Sequence, residues 1–493
     1  YQSDGRDGSG ARAPDGRYTA EIVVVYRNGN RSASRTGPFE LDTAAPTVSA
    51  AAAGKMVFSP DGDSNLDSFA VSQTSSRENL WEGKISDSAG RTVRSFFWKG
   101  QAGDFTWDGA DDMGNKVPDG LYTYSVRGED RAGNTGQATL RGIRVDTRPA
   151  SAFVTVDAPG FSPNGDGVRD ETEFTVYLNM TDGIQGWRLR MVDAAGKTKR
   201  LFQGASLKSP MKVRWDGKGD DGSIVEGLYT AEFDASFEKG NRPGAKTGQF
   251  LLDLTPPEVA LEMEPLPFSP DNDGVADELI ISLAVRDAGA IAGWSLDISD
   301  RYGNPFNRFS GTGMPAETIR WDGRSATGEL VIAAEDYPYI FTIADTLGNT
   351  RVLKGLIPVD ILVIRDGDRL KIKISNITFA PNSPQVVLDD SDTGVKNRSV
   401  LKRLVEVLTK YGNYQILIEG HANNVTGTAR EETEELGPLS RARAEEVKKA
   451  LVERGLGARR IDVEGKGGTE MIFPFSDRVN NWKNRRVEFI LVK

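Results

Sequence analysis

The chain has 493 residues, 61 Lys and Arg against 71 Asp and Glu, a formal charge of -10, one His and no Cys. That length exceeds what one hydrophobic core can serve, so several domains are expected, and the acidity would repel a polyanion such as nucleic acid at long range. The lack of Cys excludes disulfides, thiolate metal centres and a cysteine nucleophile, while 54 Gly and 38% hydrophobic residues describe a folded chain rich in turns.

The chain opens at Tyr1 with neither Met nor a signal-like apolar stretch, as expected of a processed chain or one whose leader is absent. No apolar run reaches the roughly 18 residues of a membrane-spanning helix. The nearest, 353–364, is short and carries Asp360.

An internal repeat organises the first three quarters. "PDGRYTAEI" at Pro14 and "LDTAAP" at Leu41 match the last third of a unit, so 1–46 reads as a truncated module. "FSPDGDSNLDSFAV" from Phe58 returns as "FSPNGDGVRDETEF" from Phe161 and "FSPDNDGVADELII" from Phe268, starts that lie 103 and 107 residues apart. A W-D-G block follows each, at Trp107, Trp215 and Trp321, and "VDTRPA", "LDLTPP" and "VDILVI" close the units. Modules are therefore expected at 47–150, 151–257 and 258–362.

Runs such as "LYTYSVRG" and "LYTAEFDA" alternate large apolar and polar residues, the period of a half-buried strand, and Asp-Gly and Gly-Asn pairs punctuate them. The fold class is multidomain, with tandem all-β immunoglobulin-like sandwiches in this region. Each W-D-G tryptophan is expected in a core with its N–H paired. "GKGDDG" at Gly217 has the spacing of a phosphate loop, but its aligned copies "GADDMG" and "GRSATG" lack that pattern and its aspartates would repel phosphate, so it reads as a hairpin tip.

The W-D-G, G-x-Y and "EDRAGN" blocks resemble the immunoglobulin-like domain of flagellar hook-capping proteins. "FSPNGDGVRDE" is similar to the gliding-motility C-terminal family of bacterial surface proteins. Both resemblances imply extracytoplasmic spacers with protein partners in the envelope.

Within the FSP loops Asp61, Asp63 and Asp67, then Asn164, Asp166 and Asp170, then Asp271, Asp273 and Asp277 place oxygens at alternating positions. One reading is a structural Ca²⁺ that stiffens each junction. The other, favoured by the small number of side-chain ligands, is an Asx-stabilised turn with no cofactor.

From 363 to 493 the texture changes to a C-terminal α/β sandwich. Segments 376–380, 413–420, 460–467 and 485–493 read as strands. A helix over 398–412 places Val400, Leu401, Leu404, Val405 and Leu408 on one face, and a second over 439–455 takes Ser440 as its N-cap and ends at Gly455.

"GHANN", "LSRARAEEVKKALVERGLGARRIDVEGKG" and "NRRVEFILV" resemble the OmpA-like peptidoglycan-binding family, in order, over 377–493. That resemblance implies a cell-wall partner, the diaminopimelate of the stem peptide. In the family an aspartate faces the ligand's ammonium and an arginine its carboxylate. Here the two positions hold Asn423 and Arg443. The lost charge weakens the hydrogen bond by roughly 1 to 2 kcal/mol, one or two decades in affinity.

His421, Asn484 and Arg485 fall next to the implied pocket, with structural roles expected for His421 and for the Asn484–Arg485–Arg486 block. An insert bearing Glu431, Glu432, Glu434 and Glu435 is expected either to be solvated or to present an acid to Arg443. No catalytic residue, zinc-histidine pattern or metal ligand set is singled out. A non-enzymatic periplasmic tether is therefore expected, with a scaffold that no longer binds peptidoglycan as the alternative.

Overall fold

The computed structural model describes residues 3–381 and 383–493. They form two compact units, one containing residues up to 161 with 171–252, the other 162–170 with 253–493.

In the first repeat, strand Gly120–Glu129 buries every second side chain from Tyr122 to Gly128, as its alternation requires. It lies in a five-stranded sheet ordered Val57–Phe58, Thr135–Val145, Gly120–Glu129, Glu78–Ser86, Thr92–Gly100. A three-stranded sheet of Phe105–Trp107, Phe69–Ser75 and Val48–Ala52 closes the sandwich over Trp81, Trp107, Phe58 and Tyr124. The same three-stranded sheet recurs as Ala152–Val156, Thr172–Leu178, Met211–Trp215 and as Glu258–Glu264, Leu279–Arg286, Thr318–Trp321.

The conserved spacing of the repeat has a packing cause. Trp107, Trp215 and Trp321 are each 1% exposed, and their indole N–H groups donate to the carbonyls of Ala110, Lys218 and Arg324, all at 2.8 Å. Truncating such a side chain to Ala costs about 3–5 kcal/mol. The following glycine is required twice over at Gly109 and Gly323, where φ is +74° and an added Cβ would lie 2.6 Å from the ring of Pro60 or Pro270. "GKGDDG" is a hairpin tip, bridged Lys218 to Ile224.

Each FSP phenylalanine runs parallel to the last strand of its sandwich, Phe58 beside Val145, Phe161 beside Leu252 and Phe268 beside Val359. The acidic loop that follows is closed by its own amides. Asp67 accepts from the N–H groups of Gly62 and Ser64, Asp170 from Gly165 and Gly167, and Asp277 from Asn272 and Gly274. These are the Asx-type turns of the second reading.

Side chains then fasten each loop to the next repeat. In the first unit Asn241 Nδ2 donates to Asp61 Oδ2 at 2.7 Å, and buried Lys239 pairs with Asp146 at 3.1 Å. In the second unit Ser162 Oγ donates to Asn349 Oδ1 at 2.7 Å. The carboxylate oxygens of Asp61, Asp63 and Asp67, and those of Asp271, Asp273 and Asp277, also lie within 4.8 Å of one another, the arrangement of the calcium reading.

The C-terminal sheet is ordered Ile364–Asp366, Arg369–Ile374, Val487–Val492, Gln415–His421, Ile461–Gly467, with only the last pair parallel. Helices Asp392–Lys410 and Gly437–Val452 bury Leu401, Leu404, Leu408, Val447 and Leu451 against it. The core continues without a break into the third sandwich. Arg403–Asp360 at 2.6 Å and Lys483–Glu329 at 2.5 Å also join the two.

Four local expectations are corrected. Segment 376–380 is not a strand and makes only the bridge Phe379 to Val386. The place beside Val487–Val492 is instead taken by Arg369–Ile374, and Ile364–Asp366 forms the edge. The first helix begins at Asp392 with Ser391 as its cap, and Val407 takes the buried place assigned to Val405. Ser440 caps nothing: the second helix starts at Gly437 with Pro438 in its first turn, and Ser440 Oγ accepts from Gly467 N–H at 3.0 Å, pinning helix to sheet.

Candidate functional site

Strand Gln415–His421, helix Gly437–Val452 and the segment before Val487–Val492 converge on a cavity of about 440 Å³ in the second unit. Arg443, His421, Gly420, Arg485 and Arg486 line it, with Phe379 and Trp482 as aromatic walls. Arg443 enters from the helix. Its guanidinium lies 5.0 Å over the Phe379 ring, and Nε donates to Ser383 O at 3.4 Å. Burial and the nearby charge of Arg485 pull its pKa below the ordinary value.

Asn423 does not line this cavity. Its Oδ1 accepts from Asn484 Nδ2 at 2.9 Å. Asn484 is wholly buried, accepts from the N–H groups of Ile472 and Phe473 at 2.8 and 3.0 Å, and donates to Phe473 O at 2.7 Å. Asn484 thus joins the strand end to the segment 472–473. Arg486 belongs there too, donating to Glu488 Oε1 at 2.6 Å, while Arg485 is exposed and faces the cavity.

His421 has a fully buried ring. Neither ring nitrogen has a hydrogen-bond partner among the described residues, and Nε2 lies 3.9 Å from Glu419 and 3.8 Å from Glu488. Burial first, then the charge of Arg486, pushes its pKa down to about 4. The three ligand atoms lie close enough to share an ion. Lys371, Lys466 and Arg486 already pair with the two carboxylates at 2.5, 3.3 and 2.6 Å, so a divalent cation would have to compete with these cations for both acids. The donor set does not fit a metal.

The acidic insert forms a short helix, Ala429–Glu431, and a π turn, Glu432–Leu436. Glu431 accepts from Thr426 N–H at 2.7 Å, and Glu432 from Gly468 N–H at 2.8 Å and Asn424 Nδ2 at 3.1 Å. Neither meets Arg443. Glu434 pairs with Arg430 at 2.9 Å, and no ion pair joins Arg443 to Glu431, Glu432, Glu434 or Glu435 among the described residues.

Phe379, Trp482 and two residues of the third sandwich, Arg301 and Tyr302, also line the cavity and were not foreseen. Phe379 was assigned to a strand interior, and nothing local in "DRYGN" marks a site.

Fold and site together define a chain of tandem immunoglobulin-like sandwiches that ends in an OmpA-family domain: residues 378–485 match the OmpA family, and residues 58–132 match the FlgD Ig-like domain. No curated protein matches the chain. Among solved structures, a tetra-tandem repeat from the extending region of a large adhesion protein is 19% identical, covering 71% of this chain and 82% of that one at a TM-score of 0.30. The cell wall anchor of the T6SS from Pseudomonas aeruginosa is 29% identical over 27% of this chain and 87% of its own, TM-score 0.22. The periplasmic domain of Helicobacter pylori MotB is 20% identical over 27% and 78%, TM-score 0.23.

Proposed function

We propose that the protein is a non-enzymatic component of the bacterial envelope, in which immunoglobulin-like modules carry a periplasmic domain that tethers them to the cell wall. The observation that carries this reading is Arg443. It is a half-buried guanidinium with no acidic partner among the described residues, set over an aromatic ring on a cavity, within the segment that matches the OmpA family. Such a group binds a carboxylate through charge-assisted, directional hydrogen bonds, and the free carboxylate of a wall stem peptide is the ligand it fits. The solved cell wall anchor among the similar structures agrees in kind. No helix among the described residues is long and apolar enough to cross a membrane.

A scaffold that has lost the wall ligand is the second reading, favoured by the engagement of Asn423 with Asn484 in place of a free acid. Titration of the full chain with soluble muropeptides separates the two. Saturable binding that Arg443→Ala abolishes supports the tether, and no heat of binding supports the scaffold.

A further inference from the structure

The cavity beside Arg443 carries more positive charge than its surroundings neutralise. Four arginines line it, and two are already paired: Arg301 donates to Glu335 Oε1 at 2.9 Å and Arg486 to Glu488 Oε1 at 2.6 Å. Arg443 touches only a backbone carbonyl and the Phe379 ring, and Arg485 makes no ion pair among the described residues. No carboxylate is among the lining residues. Two guanidiniums that repel each other across a walled cavity form a site for an anion, and an ammonium would be disfavoured there.

The second relationship is that one wall comes from another domain. The turn 300–304 of the third sandwich is held rigid by Asp300 Oδ1, which accepts from the N–H groups of Tyr302 and Asn304, both at 2.9 Å. It presents the Tyr302 ring edge-on to Trp482, centroids 5.0 Å apart at 66°, and sets the Arg301 guanidinium 5.5 Å over the same indole. Tyr302 remains 57% exposed at the rim, an aromatic surface available to an apolar stem.

We propose that this is a composite site, shared by the third sandwich and the C-terminal domain, for a ligand whose carboxylate is gripped by Arg443 and Arg485, whose aliphatic stem lies against Tyr302 and Trp482, and whose ammonium is not read. The proposal rests on the wall-tether reading for the position of the ligand. It adds that the sandwich is part of the site, and that selection has shifted from a zwitterionic end to an anionic one.

The test is calorimetric titration of the full chain with three probes: meso-diaminopimelate; pimelate, which keeps both carboxylates and lacks both amines; and lysine, which keeps both amines and lacks the distal carboxylate. Pimelate should bind at least as tightly as diaminopimelate, and lysine about tenfold more weakly or worse. Arg485→Gln, at an exposed position that leaves the core intact, should weaken pimelate about tenfold. Tyr302→Ala should weaken it about threefold or more, with Tyr302→Phe close to wild type. Diaminopimelate binding tenfold tighter than pimelate, lysine binding as well as pimelate, no binding of any probe, or an unaltered Tyr302→Ala would each overturn the proposal. The two readings fail separately: wall fragments that bind with the amine preference intact leave the tether standing without this inference, whereas pimelate binding without wall binding does the reverse.

Discussion

Asn484 donates its side-chain amide to Asn423 Oδ1 across 2.9 Å, while its own carbonyl oxygen accepts from the backbone N–H groups of Ile472 and Phe473. The bond ties Asn423 to the strand end, and Asn423 is not among the residues that line the arginine-rich cavity.

Restoring the acid should therefore change selectivity more than stability. Asn423→Asp keeps an oxygen facing Asn484 Nδ2 and adds a charge near the cavity. The ratio of diaminopimelate to pimelate affinity should rise about five- to tenfold, since a charged hydrogen-bond partner is worth roughly 1 kcal/mol more than a neutral one. Parallel titrations of the two probes check it, with a thermal melt to confirm that the fold is unchanged.

The joint between the first two complete repeats depends on a buried cation. Lys239 is 2% exposed, with Nζ 3.1 Å from Asp146 Oδ1 and a further bond to Arg148 O. Lys239→Met should destabilise the first unit by about 3 kcal/mol, the low end for a broken buried pair, because Arg148 and Arg144 remain on Asp146. Hydrogen bonding from Arg148, then from Lys239, holds Asp146 well below the usual carboxylate range despite burial. A depressed carboxylate stabilises the fold fully above its unfolded pKa, about 4, and loses that contribution as pH falls through the folded value, so this joint should open only in strong acid. Calorimetric melts of the full chain across pH measure both effects.

His421 gives the second unit the opposite exposure to mild acid. Its pKa falls from the ordinary 6.5 to about 4 in the folded state, so the unfolded chain binds the proton first. The contribution to stability is complete above pH 6.5 and is lost as pH drops toward 4. His421→Phe, which keeps a ring in a site where neither nitrogen is bonded, should flatten that part of the pH–stability curve.

Asp287 has the contrary sign. Burial, and then the charges of Asp253 and Asp345, raise its pKa to about 6. Its contribution is present below the unfolded value near 4 and disappears as pH rises through 6. Asp287→Asn should raise the stability of the second unit at neutral pH by about 1 kcal/mol after allowance for solvent screening, and remove the decline between pH 4 and 6. Denaturant titrations at pH 5 and pH 7 distinguish it from the His421 variant.

The repeat was readable because its signals are local. A tryptophan, an Asx turn and a left-handed glycine recur at fixed spacing; the tryptophan makes the same bond in all three copies, and the glycine packs against the FSP proline in the first and third. The strands around His421 were legible for the same reason. What the sequence concealed was tertiary. Phe379 looks like a strand residue until Arg443 is seen above it, Ser440 looks like a cap until Gly467 is found on its hydroxyl, and Tyr302 reaches the cavity only because two domains share one core. The acids of the insert resemble ligands in one dimension, yet the loop turns Glu431 and Glu432 onto backbone amides.

The wall tether is tested most directly by co-sedimentation of the full chain with purified diaminopimelate-type peptidoglycan sacculi, wild type beside Arg443→Ala. The account predicts that the wild-type protein pellets with the sacculi and that the variant, equally folded by circular dichroism, stays in the supernatant. A wild-type chain that remains soluble, or a variant that pellets equally well, would contradict it.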